Sequence, residues 1–302
     1  MMEERKVWFI TGASKGLGLS IVKAALLMGD KVIATVRQGS EGLNLGYSTD
    51  QLYILKLDVT NEQQVKAATA KALDKFGRID VLVNNAGVGL LAGVEEASAK
   101  EVFDNFNTNV FGLLNVIRNI LPYMRGARSG HIINIASIGG LDAYPGWAIY
   151  DAAKNAVIGI TEGLSKEMDQ FGIKATVVIP GLFRTGFLDK SSLVRGAKPI
   201  EDYSNTVGQM RWLTTATNHK QSGDPDKFAC AITKIAYSHK PPVHLLLGAD
   251  ALDRYRTKAI KMDYMVEQWL PVTMDTAFDL ELPLTDSSHS QTDSETSQYN
   301  LN

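Results

Sequence analysis

Val7-Trp8-Phe9-Ile10-Thr11-Gly12-Ala13-Ser14-Lys15-Gly16-Leu17-Gly18, running on into Leu19–Met28, is where the architecture of this chain first becomes legible. A short apolar run meets a glycine cluster, and helical spacing begins directly after it. A strand, a tight turn and a helix in that order leave free backbone N–H groups and the positive end of a helix dipole at the turn, which suits a phosphate. Glycines alone also punctuate ordinary turns, and their place between a strand and a helix is what gives them weight. The spacing is Gly-x3-Gly-x-Gly rather than Gly-x-Gly-x2-Gly, and no Gly-Lys-Ser/Thr follows, so this is not a P-loop.

The same alternation continues outward. Apolar runs rich in β-branched residues occur at Val7–Thr11, Lys31–Val36, Leu52–Leu57, Ile79–Val83, His131–Ala136, Lys174–Ile179 and Val243–Leu247. Helical spacing occupies Leu17–Met28, Glu62–Phe76, Lys100–Met124, Tyr150–Phe171 and Pro225–Tyr237, with a further helix at Asp250–Tyr264. Strict alternation predicts an α/β fold: a doubly wound, Rossmann-like parallel sheet of seven strands with helices on both faces, joined by right-handed crossovers, plus a C-terminal extension. No composition break marks a linker, so residues 1–284 read as one domain. Arg184–Gly223 lacks periodicity, and a loop that long inside a domain is usually functional. Thr285–Asn302 is rich in Ser, Thr, Gln, Asp and Asn, a composition that predicts a disordered tail.

Of the 302 residues, 45% are apolar and 21% charged, ordinary values for a globular protein. A formal charge of −2 argues against a nucleic-acid partner. No uncharged apolar run approaches the roughly 18 residues of a membrane span, and Met1–Lys6 fits no signal peptide. One cysteine, Cys230, excludes an internal disulfide framework; it sits at a predicted core position. The five histidines show no metal-ligand spacing, so no metal is expected. These features together point to the cytoplasm. All 31 bases lie in the first 261 residues, whereas eight of the 33 acids lie after them. A mildly basic body suits a small anionic ligand, and the acidic end reads as solvated chain.

Tyr150 and Lys154 lie four residues apart at the start of a predicted helix and so share a face. Such a pair alone is usually a surface coincidence. Here Ser137 ends the preceding strand, and the carboxyl edge of a parallel sheet is where ligands bind. A free tyrosine, with a pKa of about 10, is a poor proton carrier near neutrality. A neighbouring ammonium favours the phenolate, and a serine hydroxyl can hydrogen-bond a carbonyl oxygen as charge develops on it. The three together make an acid–base centre for carbonyl/alcohol interconversion.

Taken in order, TGASKGLG (11–18), Asp58-Val59, NNAG (84–87), Asn109, Ser137, YDAAK (150–154) and Pro180-Gly181 with Thr185 resemble the short-chain dehydrogenase/reductase family, in its non-extended branch. The resemblance covers about residues 5–250. It implies that Gly12, Ser14, Lys15, Gly16, Leu17 and Gly18 form a cofactor turn, and that Asp58 and Val59 flank an adenine. It implies that Asn85, Ala86 and Gly87 close the fourth strand against the cofactor, with Asn84 partly structural. Pro180, Gly181 and Thr185 would orient a nicotinamide that gives up its 4-pro-S hydride. Ser137, Tyr150, Lys154 and Asn109 would be catalytic, Lys154 also holding the nicotinamide ribose and Asn109 a water that relays protons.

An acid ending the second strand would bind ribose hydroxyls and repel a 2′-phosphate. Relatives that prefer NAD have Asp where this chain has Val36. Arg37 and Lys15 match family positions that face a 2′-phosphate, so the expected cofactor is NADP(H). Residues 186–223 match the family's substrate lid, offering Phe187, Leu188, Leu193, Val194, Tyr203, Met210, Trp212 and Leu213, with Leu141, Tyr144 and Trp147 opposite. These residues imply a largely apolar carbonyl or alcohol substrate, or else simply pack the lid onto the body. Family dimers pair the helices matching Lys100–Met124 and Tyr150–Phe171, and the C-terminal extension would oppose the further association that gives tetramers. Homodimer and homotetramer both remain open. The expected activity is an NADPH-dependent carbonyl reductase, reversible as an alcohol dehydrogenase. The alternatives are an NAD-dependent alcohol or dihydrodiol dehydrogenase, and a non-catalytic NADP(H)-sensing protein.

Overall fold

The computed structural model describes residues 5–37, 43 and 45–278. The tail expected at 285–302 lies outside them. The chain divides into two units, 1–258 and 259–302.

The strands are β1 (Val7–Ile10), β2 (Lys31–Val36), β3 (Leu52–Lys56), β4 (Val81–Asn84), β5 (Gly89–Leu91), β6 (Gly130–Ile135), β7 (Ile173–Pro180), β8 (Leu193–Arg195) and β9 (His244–Leu247). The helices are α1 (Gly16–Leu27), α2 (Glu62–Phe76), α3 (Ala99–Phe106), α4 (Gly112–Ala127), α5 (Ala148–Met168), α6 (Gln209–Thr217), α7 (Pro225–Ala236) and α8 (Ala249–Met274). Seven strands form one sheet in the order β3-β2-β1-β4-β6-β7-β9, and every described pairing is parallel, as the alternation predicts. Successive residues of a strand face opposite sides, and here both sides are apolar. Phe9, Leu82, Ile132 and Val177 join a core with side chains of α2, α4 and α5. Trp8, Ile10, Val83, Ile133 and Val178 join a second core with α1 and α7.

Local chemistry sets the helix ends. The Asn61 side chain caps α2 by accepting from Gln64 N–H, Ser98 and Glu101 form a reciprocal box at α3, and Asp224 caps α7 ahead of Pro225. The single helix expected over Lys100–Met124 is broken. A π turn at Asn107–Phe111 separates α3 from α4. Asn105 and Asn109 each donate to the Val88 carbonyl, at 3.0 and 2.9 Å, and so tie the turn to the segment after β4. Gly112 lets the chain pass Val59, whose Cγ2 would lie 2.6 Å from any Cβ there.

Within Arg184–Gly223 the structure shows more order than the sequence suggests. β8 pairs in parallel with β5, and α6 follows. Buried Glu96 fastens this region to the body by accepting from Gly93 N–H at 2.7 Å, Ile200 N–H at 2.9 Å and the Arg211 guanidinium. Cys230 is exposed rather than in the core, because it lies on the outward face of α7.

His131 is buried in β6, and burial pushes its imidazole down to about 4, with Lys6 and Lys174 adding to the shift. Thr176 donates to the Pro242 carbonyl at 2.7 Å, so its oxygen accepts from His131 Nε2–H at 2.9 Å. A base whose pKa is lower folded than unfolded stabilises the fold above its unfolded value and loses that contribution as pH falls. Stability should therefore fall by about 3 kcal/mol between pH 6.5 and 4 on account of this residue. The urea midpoint of His131→Asn should lose most of that acid slope; an equally steep slope in the variant would exclude the assignment.

Candidate active site

The carboxyl ends of β1, β2, β4, β6 and β7 open onto one cavity of about 710 Å³. Its floor is built first by hydrogen bonds between strand ends. Thr11 Oγ1 accepts from Asn85 N–H and Ala86 N–H, both at 3.0 Å, and Asn85 Nδ2 donates back to the Thr11 and Gly12 carbonyls at 2.9 and 3.0 Å. Gly12 has φ +64°, and a Cβ there would lie 2.8 Å from Ala86 Cα. At Gly18 a Cβ would lie 2.5 Å from both Asn85 Nδ2 and the Gly12 carbonyl. Only glycine permits either approach.

Helix α1 begins beside this floor. Its N-cap, Lys15, makes no side-chain cap and its first turn holds no acid, so the leading N–H groups face the cavity without a side-chain acceptor. That cradle fits the pyrophosphate of a dinucleotide. Gly12, Ser14, Lys15, Gly16 and Leu17 line the cavity, as do Arg37, Asp58, Val59, Asn85, Ala86 and Gly87. Gly18 does not; its place is the contact with Asn85. Lys15 turns toward the lid and donates to Ser191 Oγ at 2.5 Å, leaving Arg37 as the described base at the end of β2.

At the other end, Ser137, Tyr150 and Lys154 line the wall, with Pro180, Gly181 and Thr185 beside them. Ser137 follows β6 by two residues and caps a short 3₁₀ turn, its Oγ accepting from Gly139 N–H at 3.2 Å. Its hydroxyl also acts on the Tyr150 phenol, favouring the phenolate. Tyr150 is buried between the rings of Trp147 and Phe187, at 5.5 and 5.6 Å. Burial, and then the Asp151 carboxylate, push the phenol well above its ordinary value, while the Ser137 hydroxyl works the other way. Lys154 is buried, donates to the Ile135 carbonyl at 2.9 Å, and is lowered to about 8 by burial. Its ammonium sits 5.8 Å from the Tyr150 ring centre, and burial outweighs any lowering of the phenol by that charge.

Asn109 lies outside the cavity wall. Its Nδ2 donates to the Val88 and Asn105 carbonyls and its Oδ1 accepts from Val88 N–H, so its amide is committed to holding the π turn. It nonetheless flanks Gly87 together with Lys154: a Cβ on Gly87 would lie 2.7 Å from Asn109 Oδ1 and 3.4 Å from Lys154 Nζ. Asn84 has the structural role expected, donating to Asn134 Oδ1 at 2.9 Å.

Phe187, Leu188, Val194, Met210, Leu213, Tyr144 and Trp147 line the outer chamber as expected. Leu141, Leu193, Tyr203 and Trp212 do not. Leu141 packs against the core, Leu193 is buried beside Gly89, Tyr203 donates to Glu95 at 2.7 Å, and Trp212 is exposed. Sequence reasoning missed three supports. Asp151 is a buried acid accepting from Tyr144 N–H at 3.1 Å, and burial pushes it up to about 6. Arg254 stacks 3.7 Å over the Tyr144 ring and pairs with Asp142. Asp250 accepts from Leu182 N–H at 2.7 Å, fixing the Gly181 turn. Asp151 stands inside the Tyr-x3-Lys spacing, directly after Tyr150; the other two are far from their partners in sequence and gave no local signal. No cluster of potential metal ligands occurs among the described residues, and none of their helices is long and apolar enough to cross a membrane.

Because Glu96 holds the lid through two donors, Ile200 N–H and the Arg211 guanidinium, Glu96→Ala should raise KM for the substrate several-fold more than it lowers kcat. Titration of the variant with reduced cofactor, followed by fluorescence, should show unchanged binding; a loss of cofactor affinity as large as the KM effect would show that Glu96 supports the whole cavity.

Comparison with known proteins agrees with this geometry. The family model described as short chain dehydrogenase matches residues 6–194. A 3-ketodihydrosphingosine reductase of Bacteroides thetaiotaomicron is 38% identical over 244 residues, 80% of this chain and 88% of its own. The structure of a short-chain dehydrogenase from Streptomyces avermitilis superposes with a TM-score of 0.85 at 37% identity, covering 91% of this chain and all of that one. Another, from Burkholderia cenocepacia in complex with NADP, gives a TM-score of 0.69 at 26% identity over 89% of this chain and 99% of that one. The chain belongs to the short-chain dehydrogenase/reductase family and is an NAD(P)-dependent oxidoreductase.

Proposed function

We propose that this protein is an NADPH-dependent carbonyl reductase, running in reverse as an alcohol dehydrogenase, on a largely apolar ketone or aldehyde. The observation that carries the reading is the meeting of Ser137, Tyr150 and Lys154 on one wall, between a phosphate cradle and an apolar chamber, within a single cavity. A bound reduced nicotinamide supplies the hydride. The chain supplies the rest. Ser137 donates a hydrogen bond to the carbonyl oxygen, and Tyr150 delivers its proton to that oxygen as the alcohol forms. Burial keeps the Tyr150 phenol protonated, which is the state a donor needs. Lys154 holds the nicotinamide ribose, and Asn109 fixes the π turn beside Gly87 and Lys154. The name of the 3-ketodihydrosphingosine reductase relative fits a ketone as substrate.

NADPH is favoured over NADH by Arg37 at the end of β2, where the preceding residue is Val36 and no acid repels a 2′-phosphate. A charged hydrogen bond of that kind contributes roughly 1.5–3 kcal/mol, or about 10- to 100-fold in affinity.

Oxidation of NADPH and of NADH, followed by absorbance across ketones, aldehydes and quinones, tests the reading; failure of every carbonyl with NADPH tightly bound would refute it. Tyr150→Phe should lower kcat by about 10²- to 10⁴-fold while leaving NADPH binding intact. Retention of turnover in that variant would remove Tyr150 from the chemistry. Arg37→Asp should reverse the preference toward NADH by at least tenfold in kcat/KM; an unchanged ratio would remove the argument for NADPH.

A further inference from the structure

We propose that helix α8 pairs antiparallel with the same helix of a second copy, through a heptad seam. From Leu252 the seam positions recur at alternating intervals of three and four: Leu252, Tyr255, Ala259, Met262, Val266 and Trp269. That is the 3.5-residue period of a coiled coil, sustained for roughly 27 Å at 1.5 Å per residue.

Among the described residues of the unit beginning at Ala259 there is only the end of α8 and a turn, so none of them forms a further element that covers the seam. Met262, Val266 and Trp269 are exposed. Most helical stability in proteins comes from packing an apolar face.

Two features select a second copy. The first is size. In the antiparallel register Ala259 meets Met262 of the second copy, Val266 meets its Tyr255, and Leu252 meets its Trp269. Every layer then sets a smaller side chain against a larger one, which fills space at interior density. A parallel pair would instead set alanine on alanine and tryptophan on tryptophan. The second is charge. In the antiparallel register Arg256, beside the seam, faces Asp263 of the second copy, and two-fold symmetry makes that pair twice. An anionic lipid surface suits the helix less, since from Met262 onward the chain has eight acids and no base.

The test uses the full chain. In a Cys230→Ser background, an Ala259→Cys chain mixed with a Met262→Cys chain should form a mixed disulfide under mild oxidation, faster than Ala259→Cys with itself. Sedimentation should show dimer association weakened at least tenfold by Arg256→Glu or by Asp263→Arg, with the double variant restored. Thermal midpoints near that of the unaltered chain show that the body is folded in each variant. No mixed disulfide, or faster pairing of Ala259→Cys with itself, overturns the proposal. Failure of the double variant to regain association overturns it as well, whatever else covers the helix.

Discussion

Thr11 and Asn85 clasp the carboxyl ends of β1 and β4, and the rest of the site takes its position from that clasp. β1 and β4 adjoin at the point where the strand order reverses, and there the crossovers leave the sheet in opposite directions and open a crevice. The four hydrogen bonds between Thr11, Gly12, Asn85 and Ala86 satisfy backbone groups that a crevice would otherwise leave without partners. They also bring two chain segments so close that Gly12 and Gly18 have no room for a side chain. The glycine pattern is therefore partly a packing requirement of the protein itself, before any ligand is considered.

Burial then sets the electrostatics. Tyr150, Asp151 and Lys154 lie on one helix, and each shifts toward its uncharged form because each is taken out of water. Model-compound values would give a lysine that is charged throughout the neutral range and a carboxyl that is ionised throughout it. The structure instead gives a lysine near 8 and a carboxyl near 6. The hydrogen bond from Lys154 to the Ile135 carbonyl fixes where that ammonium sits, and the bond from Tyr144 N–H to Asp151 fixes one side of the chamber.

The outer chamber depends on contacts between residues far apart in the chain. Glu96 bonds Ile200 and Arg211, Arg254 bonds Asp142, and Asp250 bonds Leu182. Each carboxylate accepts from a backbone amide or an arginine, so its charge is compensated where it is removed from water. The lid is thereby attached at defined points, and the side chains lining the chamber are only part of those its apolar composition offers. Trp212 and Tyr203 face away from the cavity because α6 and the segment before it turn other faces inward.

The sequence by itself determined the architecture. Seven apolar runs alternating with helical periods allow one layer arrangement, a parallel sheet covered on both faces, and strand ends were legible wherever glycine, asparagine or serine closed a run. The cradle residues and the Ser137, Tyr150 and Lys154 set were legible because local spacing places them on strand ends and on one helix face. Only the tertiary structure decided what depends on distant neighbours. It broke the helix at Asn107–Phe111, because Asn105 and Asn109 bond the segment after β4. It turned Lys15 toward Ser191, placed Cys230 outward, and gave Asp151 and Arg254 their places in the cavity wall. Hydrogen bonds and desolvation between residues far apart in the chain leave no periodicity in it, and so they become readable only once the fold has brought the partners together.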